Sequence, residues 1–365
     1  MNLLYSDVEM QLRSSVNDLL ADRCTAAQVL ARCETDKPYD LELWRTLASE
    51  VGAASLLIPE EHGGHGATAR EAAVVLEELG RFVAPVPFLG SAVLATTAVL
   101  HCGAGDLLKA LASGESTAAL TVPLSTSPGS RFPATIRADG GGLHGRMTSV
   151  ADAFVADVLI VPAVGPDGPE LHAVRTADVT IAPVTSLDLT RPLADVTLSG
   201  AASTRLAGAD RAESAVDGAL RAGAALLACE QLGVAEWCLD STVSYLKERK
   251  QFGRVVGGFQ ALKHRMADMF ESLVLARATA RHAADTLATG DADAAVAASM
   301  AKSLCSTVAV RCAEEAIQLH GGIGMTWEHP AHLYLKRAKA DEIALGTPSR
   351  HRSLLAPMIN LPGPE

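Results

Sequence analysis

Arg249-Lys250-Gln251-Phe252-Gly253, near the middle of the chain, brings together residue types that can hold a phosphorylated ligand, and the stretch runs on to Gln260. An arginine can meet a phosphate through two parallel N–H donors, and free backbone donors at a helix end complete such a site. Phe252 with Gly253 would let a ring or an extended chain lie close, and Gln260 returns a second polar group further on. A downstream echo, Gln318-Leu319-His320-Gly321-Gly322, again sets a hydrogen-bonding side chain beside glycines at the end of a helical pattern. Each stretch offers what a dinucleotide needs. Taken singly, Arg249 and Lys250 read as C-terminal helix charges answering the macrodipole, and only the two stretches together favour a ligand. Two histidine pairs, His62 and His65 in HGGHG and His329 and His332 in HPAH, have no acidic or thiol cluster to join them on a helix. They read as glycine and proline loop chemistry rather than metal ligation.

The elements that must position these residues follow from periodicity. Up to about Ser113 the pattern is helical, with candidates at 6–21, 40–52, 68–82, 88–102 and 104–113, broken by Lys37-Pro38, by Pro59 to Gly66, and by Pro85 and Pro87. Ser6 and Thr68 are capping candidates, with Glu9 and Glu71 one turn on. Between about Thr117 and Gly200 short apolar runs at 118–122, 134–138, 155–161, 171–174, 179–181 and 196–198 alternate with turn-forming clusters. That spacing predicts a small β-barrel or sandwich of about six strands. From Ala209 helix returns in long pieces, 212–250, 258–287 and 292–319, then a shorter one at 329–343. Short connections between them predict an antiparallel four-helix bundle. The expected fold class is α+β, mostly α: an N-terminal helical domain (1–115), a middle β-barrel or sandwich domain (116–205) and a C-terminal four-helix bundle (206–365).

Composition narrows the function. Hydrophobic residues make up 48% of the chain but aromatics only 4%, so Ala and Leu carry the core and favour helix. A net charge of −11 without a long basic block excludes nucleic acid and anionic membrane surfaces as natural partners. Met1 to Leu20 carries Asp7, Glu9, Arg13 and Asp18 within its apolar pattern, an amphipathic helix rather than a signal peptide. No run approaches the roughly 18 apolar residues of a membrane span. Cysteines at 24, 33, 102, 229, 238, 305 and 312 form no C-x-x-C pair and read as buried thiols of a reducing cytoplasm.

Three stretches carry a family resemblance: PEEHGGHGATAREAAVVLEELGRF, ERKQFGRVVGGFQALKHRMADM and QLHGGIGMTWEHPAHLYLKRAKADEIALGT. Together they resemble the acyl-CoA dehydrogenase family over nearly the whole chain. The resemblance implies FAD as cofactor and an acyl-CoA thioester as substrate, with the flavin bound mainly to one subunit and touched by a neighbour. It assigns Arg249, Gln251, Phe252 and Gln260 to the pyrophosphate and ribose side, and gives Gln318, Gly321 and Gly322 a similar role across a dimer interface. Thr121, Thr148 and Thr347 are weaker cofactor contacts. The family chemistry needs a desolvated carboxylate that removes an α-proton while hydride leaves the β-carbon for the flavin.

The departures from the family pattern are as informative. The usual base precedes a Gly-Thr pair near the C-terminus; here Gly346-Thr347 is preceded by Leu345, with Ala344 where an aromatic ring commonly lies over the flavin. The family's alternative base position, 26 residues before Arg249, falls on Gly223. A Thr-Glu-Pro segment, a Gly-Ser-Asp and a Trp-bearing strand are replaced by Thr121-Val122-Pro123, Pro128-Gly129-Ser130 and Met147-Thr148. Glu342, Asp341 and Glu230 are the carboxylates to weigh as substitutes, each with a plain reading as a solvated or interhelical charge. The expectation is the base-lacking subunit of a heteromeric acyl-CoA dehydrogenase, a heterotetramer similar to those of bacterial steroid side-chain degradation. A homologous catalytic partner would hold the base and the flavin ring. The alternatives are a homo-oligomeric flavoprotein of the same fold with other chemistry, such as a flavin monooxygenase, and a non-catalytic structural or binding protein.

Overall fold

A computed structural model describes residues 3–362; Met1, Asn2 and residues 363–365 lie outside the described range. The N-terminal part is helical: α1 (Asp7–Arg23), α2 (Ala26–Cys33), α3 (Leu41–Ser49), α4 (Ala69–Arg81), α5 (Thr96–Cys102) and α6 (Gly105–Ala112). Capping boxes start α1 at Ser6 with Glu9 and α4 at Thr68 with Glu71, as their spacing predicts. The short α2 escapes a periodicity search, although Thr25 and Gln28 form its own capping box. The stretch expected as one helix at 88–102 is two: Phe88–Ala95 is π-helical and leads into α5. The buried Asp152 accepts the Gly90 N–H at 3.0 Å, which ties this wider turn to the sheet that follows.

That sheet has eight strands: β1 (Ala118–Leu120), β2 (Ile136–Asp139), β3 (Gly142–Ala151), β4 (Val158–Gly165), β5 (Gly168–Arg175), β6 (Thr180–Val184), β7 (Leu193–Ala201) and β8 (Thr204–Ala207). The order is β6-β7-β3-β2-β4-β5-β8, with β1 added to β4 in parallel. It keeps a core of its own around Ile136, Met147, Leu159, Val161 and Val196. Strands β3 and β8 were not among the expected six.

The C-terminal helices are α7 (Ala212–Glu248), α8 (Gln260–Thr289), α9 (Ala294–His320), α10 (Ala331–Ile343) and α11 (Pro348–Met358), with a small hairpin of β9 (Lys250–Gln251) and β10 (Arg254–Val255) between α7 and α8. Four of these five helices match the expected bundle; α11 is additional. N-terminal helices and bundle share one hydrophobic core, running from Leu76 and Leu79 through Leu226 and Leu227 to Ala280 and Ala309. The α4–α7 crossing is close because glycines face backbone there: a Cβ on Gly233 would lie 1.8 Å from the Glu77 carbonyl oxygen, and one on Gly80 2.1 Å from that of Glu230. All seven cysteines are free, and six are buried, with Cys33 half-buried. Among the described residues no helix is long and apolar enough to cross a membrane.

Candidate functional site

The two positions where the family resemblance expects a base face each other. A Cβ on Gly223 of α7 would lie 2.9 Å from Leu345 Cδ1 and 2.4 Å from Leu94 Cδ2. Leucine side chains from two elements therefore fill the space against the helix. Leu345 is fully buried with its backbone in the left-handed region, at φ +55°. Both its main-chain groups are engaged: its N–H donates to the Leu124 carbonyl at 2.7 Å, and its carbonyl accepts from His351 Nε2 at 2.8 Å. The Leu124 N–H donates in turn to the Ser149 carbonyl at 3.0 Å, so the loop after β1 is strapped directly between β3 and Leu345.

The weaker cofactor contacts expected from sequence have three different surroundings. Thr121 is fully buried, and its hydroxyl has no hydrogen-bond partner among the described residues. Thr148 is exposed on β3. Thr347 caps α11, its hydroxyl accepting the Arg350 N–H at 3.3 Å. The strap joins the strand to the Leu345 turn, and Leu94 and Leu345 close against the Gly223 face of α7.

The substitute carboxylates are accounted for differently. Glu230 is committed to a buried ion cluster, and burial would raise its pKa but the Arg191 and Arg337 guanidiniums outweigh that and hold it low. Arg191 contacts both Glu230 oxygens at 2.6–2.8 Å, and Arg337 a third time at 2.5 Å. An ionised carboxylate held by two arginines is a poor base, which removes Glu230 from the candidates. Asp188 and Thr190, from the β6–β7 connection, complete the cluster on Arg337. Asp341 gives one oxygen to Arg191 at 2.5 Å while the other is buried without a partner. Burial, with Glu230 nearby, pushes its carboxyl up to about 7. Glu342 is half-buried, and its carboxylate makes no hydrogen bond or ion pair among the described residues.

Lys302, fully buried on α9, steadies the same loop. Its ammonium donates to Ser306 Oγ at 2.8 Å and to the carbonyls of Asp341 at 2.9 Å and Gly346 at 3.0 Å. Burial lowers it to about 8, partly offset by the Asp341 charge. Sequence reasoning missed Lys302, Asp188, Arg191, Arg337, the fill by Leu94 and the backbone strap at Leu124.

The other predicted residues form a rim on the outside. Arg249 ends α7, its N–H bonded to the Tyr245 carbonyl and its carbonyl accepting the Val256 N–H at 2.8 Å. Gln251 pairs with Arg254 across the hairpin, and Phe252 and Gly253 form its turn, at φ +52° and +74°. Phe252 and Gly253 were expected at a helix end; a hairpin follows the helix instead. Gln260 is the first residue of α8, and Gln318 lies in the last turn of α9 before Gly321 and Gly322. All eight are exposed. The side chains of Arg249, Gln251, Gln260 and Gln318 make no hydrogen bond or ion pair among the described residues. Tyr245 stacks on His320 with ring centroids 4.6 Å apart, which joins the end of α7 to the end of α9 and so joins the roots of the two stretches. Beside this rim α8 turns Phe270, Val274 and Leu275 outward, with Met300 of α9 also exposed. Unpaired donors in this arrangement are free to meet an anionic group from outside the chain.

The helical, sheet and bundle order with these motifs defines a class of flavin-dependent oxidoreductase fold. Residues 6–115 match the family described as "Acyl-CoA dehydrogenase, N-terminal domain" and residues 214–359 that described as "Acyl-CoA dehydrogenase, C-terminal domain". The chain belongs to the acyl-CoA dehydrogenase family. Among its relatives is acyl-CoA dehydrogenase IpdE2 of Mycolicibacterium smegmatis, 38% identical over 337 residues that span 92% of this chain and 94% of that one. In structure it is similar to a chain of the ChsE4-ChsE5 complex from Mycobacterium tuberculosis, at 27% identity and TM-score 0.87, with each chain covered over its full length. It is also similar to a chain of the Tcur3481-Tcur3483 steroid ACAD, at 29% identity and TM-score 0.85, covering 97% of this chain and 98% of that one.

Proposed function

We propose that this chain is the base-lacking subunit of a heteromeric acyl-CoA dehydrogenase, and that it lends FAD contacts to a homologous catalytic partner. One observation carries the reading: Leu345 and Gly223 meet across an apolar fill, while Arg249, Gln251, Gln260 and Gln318 stand exposed and unpaired. Two of the similar solved structures, ChsE4-ChsE5 and Tcur3481-Tcur3483, are named as pairs of chains, which supports a two-chain assembly here. In that assembly the partner would supply the carboxylate for α-proton removal from an acyl-CoA thioester, and FAD, when bound, would supply the hydride-accepting chemistry at the β-carbon. This chain's part is to bind and orient. Arg249 neutralises pyrophosphate charge, the amides of Gln251, Gln260 and Gln318 donate to phosphate or ribose oxygens, and the Gly321-Gly322 turn permits close backbone approach. The outward apolar face of α8 supplies contact area for the partner.

Purification of the chain alone and together with its catalytic partner decides the matter. The lone chain should be colourless, and the joint complex should carry flavin and oxidise an acyl-CoA. A lone chain that binds FAD stoichiometrically and turns over an acyl-CoA rules the proposal out. The unpaired Glu342 carboxylate leaves a second reading, an unusual base in a homo-oligomer, and loss of lone-chain turnover in Glu342→Gln would support it.

A further inference from the structure

The hairpin that carries Phe252 is unusual in how it holds that ring. Phe252 is 87% exposed, at the first central position of a turn whose two central residues both have positive φ. Such turns favour Asn, Asp or Gly, so a phenylalanine there combines backbone strain with an apolar ring left in water. The ring nonetheless has a defined support. It meets Phe259 edge-on, with centroids 6.0 Å apart and planes at 90°. The Arg254 guanidinium lies over the Phe259 ring, 3.9 Å from its centroid. No carboxylate pairs with Arg254 among the described residues, so the ring face is what holds the guanidinium. Arg254 is opposite Gln251 in the hairpin register, and Phe259 directly precedes Gln260. Guanidinium, ring and ring therefore make one stack that ties the hairpin to the start of α8.

We propose that Arg254 and Phe259 are positioning residues, holding the Phe252 ring upright against a dinucleotide seated on a neighbouring subunit and setting the spacing of Gln251 and Gln260 beside it. This rests on the reading of the chain as a lender of FAD contacts. The physical logic is preorganisation. A flexible hairpin would lose ordering entropy on meeting the cofactor, whereas a stacked one has already lost it. Strain at Phe252 and exposure of its ring are tolerated because the stack over-determines the tip. Arg254 acts through Phe259, and Phe259 through Phe252, so neither needs to touch the cofactor.

The test uses the joint complex with its catalytic partner, stripped of flavin and titrated with FAD. Arg254→Gln should weaken FAD binding about threefold and Arg254→Lys restore most of it, because either cation can sit over a ring. Phe259→Leu should weaken binding about fivefold, since the edge-on contact is lost with little change in volume. In a Phe252→Ala background both changes should become silent, as residues acting through a missing one must. Thermal unfolding of each variant as the lone chain separates these effects from misfolding, and the Lys rescue keeps the result readable if Phe259→Leu is unstable. Full FAD affinity in both Arg254→Gln and Phe259→Leu, or losses that persist without Phe252, overturn the brace and leave the lending role intact. FAD affinity indifferent to both Arg249→Ala and Phe252→Ala sinks the lending role itself.

Discussion

The Leu345 interior and the Arg249 rim are both built from family motifs, yet they have opposite physical characters. At Leu345 both main-chain groups are bonded within the chain and the side-chain space is leucine against glycine. At the rim, polar side chains reach into solvent without partners and an aromatic ring stands clear of the surface. Filling the interior gains burial and packing; holding the rim open gains nothing for the isolated chain. The difference teaches where to look for function if the proposal holds: in the exposed, unpaired rim and not in the filled interior.

Reinstalling a base at Leu345 is the severest way to break that contrast. Leu345→Glu would place a carboxylate against Leu94, with the nearby Lys302 ammonium already committed to loop carbonyls, and an uncompensated buried charge costs about 3–5 kcal/mol. Urea denaturation should show that loss, and no dehydrogenase activity should appear in the lone chain. A folded, active Leu345→Glu variant would mean that the interior is an intact pocket lacking only its acid.

At the rim the expected effect is smaller and falls on the complex alone. Arg249 makes no side-chain contact within the described residues, so Arg249→Ala should leave lone-chain stability within about 0.5 kcal/mol. In the joint complex it removes a charge-assisted contact of about 2 kcal/mol, or roughly thirtyfold in FAD affinity. Flavin titration checks the second number and denaturation the first. A reversed outcome, with the lone chain destabilised and FAD unaffected, would make the rim structural.

The two regions were unequally legible in sequence, and the reasons are physical. Arg249, Gln251, Gln260 and Gln318 could be found because each lies in a contiguous stretch at the end of a long amphipathic pattern. The absence of a base at Leu345 and Gly223 was visible only because a family pattern says where to look. What fills the space was not legible: Leu94 and Leu345 meet at Gly223 through long-range packing that no local periodicity encodes. The ion cluster is hidden for the same reason, since Arg337 reaches Asp188 across 149 positions of sequence. Secondary structure shows the same divide. The long helices α7, α8 and α9 announce themselves, whereas α2 is eight residues long and β3 opens with Gly-Leu-His-Gly-Arg, a poor strand signature.

Acidity offers a finer probe of the interior. An unfolded aspartate titrates near 3.8, whereas Asp341 is pushed up to about 7 in the fold. Between those values the folded state keeps a proton that the unfolded state has released. The stabilisation this group provides is therefore full below about 4 and is lost as pH rises through about 7. Asp341→Asn removes that titration, so its denaturation midpoint should fall less than the wild type's between pH 4 and 7. Arg249→Ala should leave the slope unchanged, because the rim holds no such group. Equal slopes in wild type and Asp341→Asn would mean that Asp341 is ionised throughout, with Arg191 compensating it fully.

The smallest expected effect is also the one that sets the two regions most directly against each other. Phe252 sits at φ +52°, where asparagine is far more at ease than phenylalanine, and its exposed ring buries little within the chain. Phe252→Asn should stabilise the lone chain by about 0.5–1 kcal/mol, the usual gain when a residue suited to a left-handed turn replaces one that is not. The same change should weaken FAD binding in the joint complex. Opposite signs in the two measurements would identify the strain as the cost of a surface held for another chain's cofactor. If the lone chain instead loses stability, the stack on Phe259 is a structural contact, and the rim is less free of internal duties than its exposure suggests.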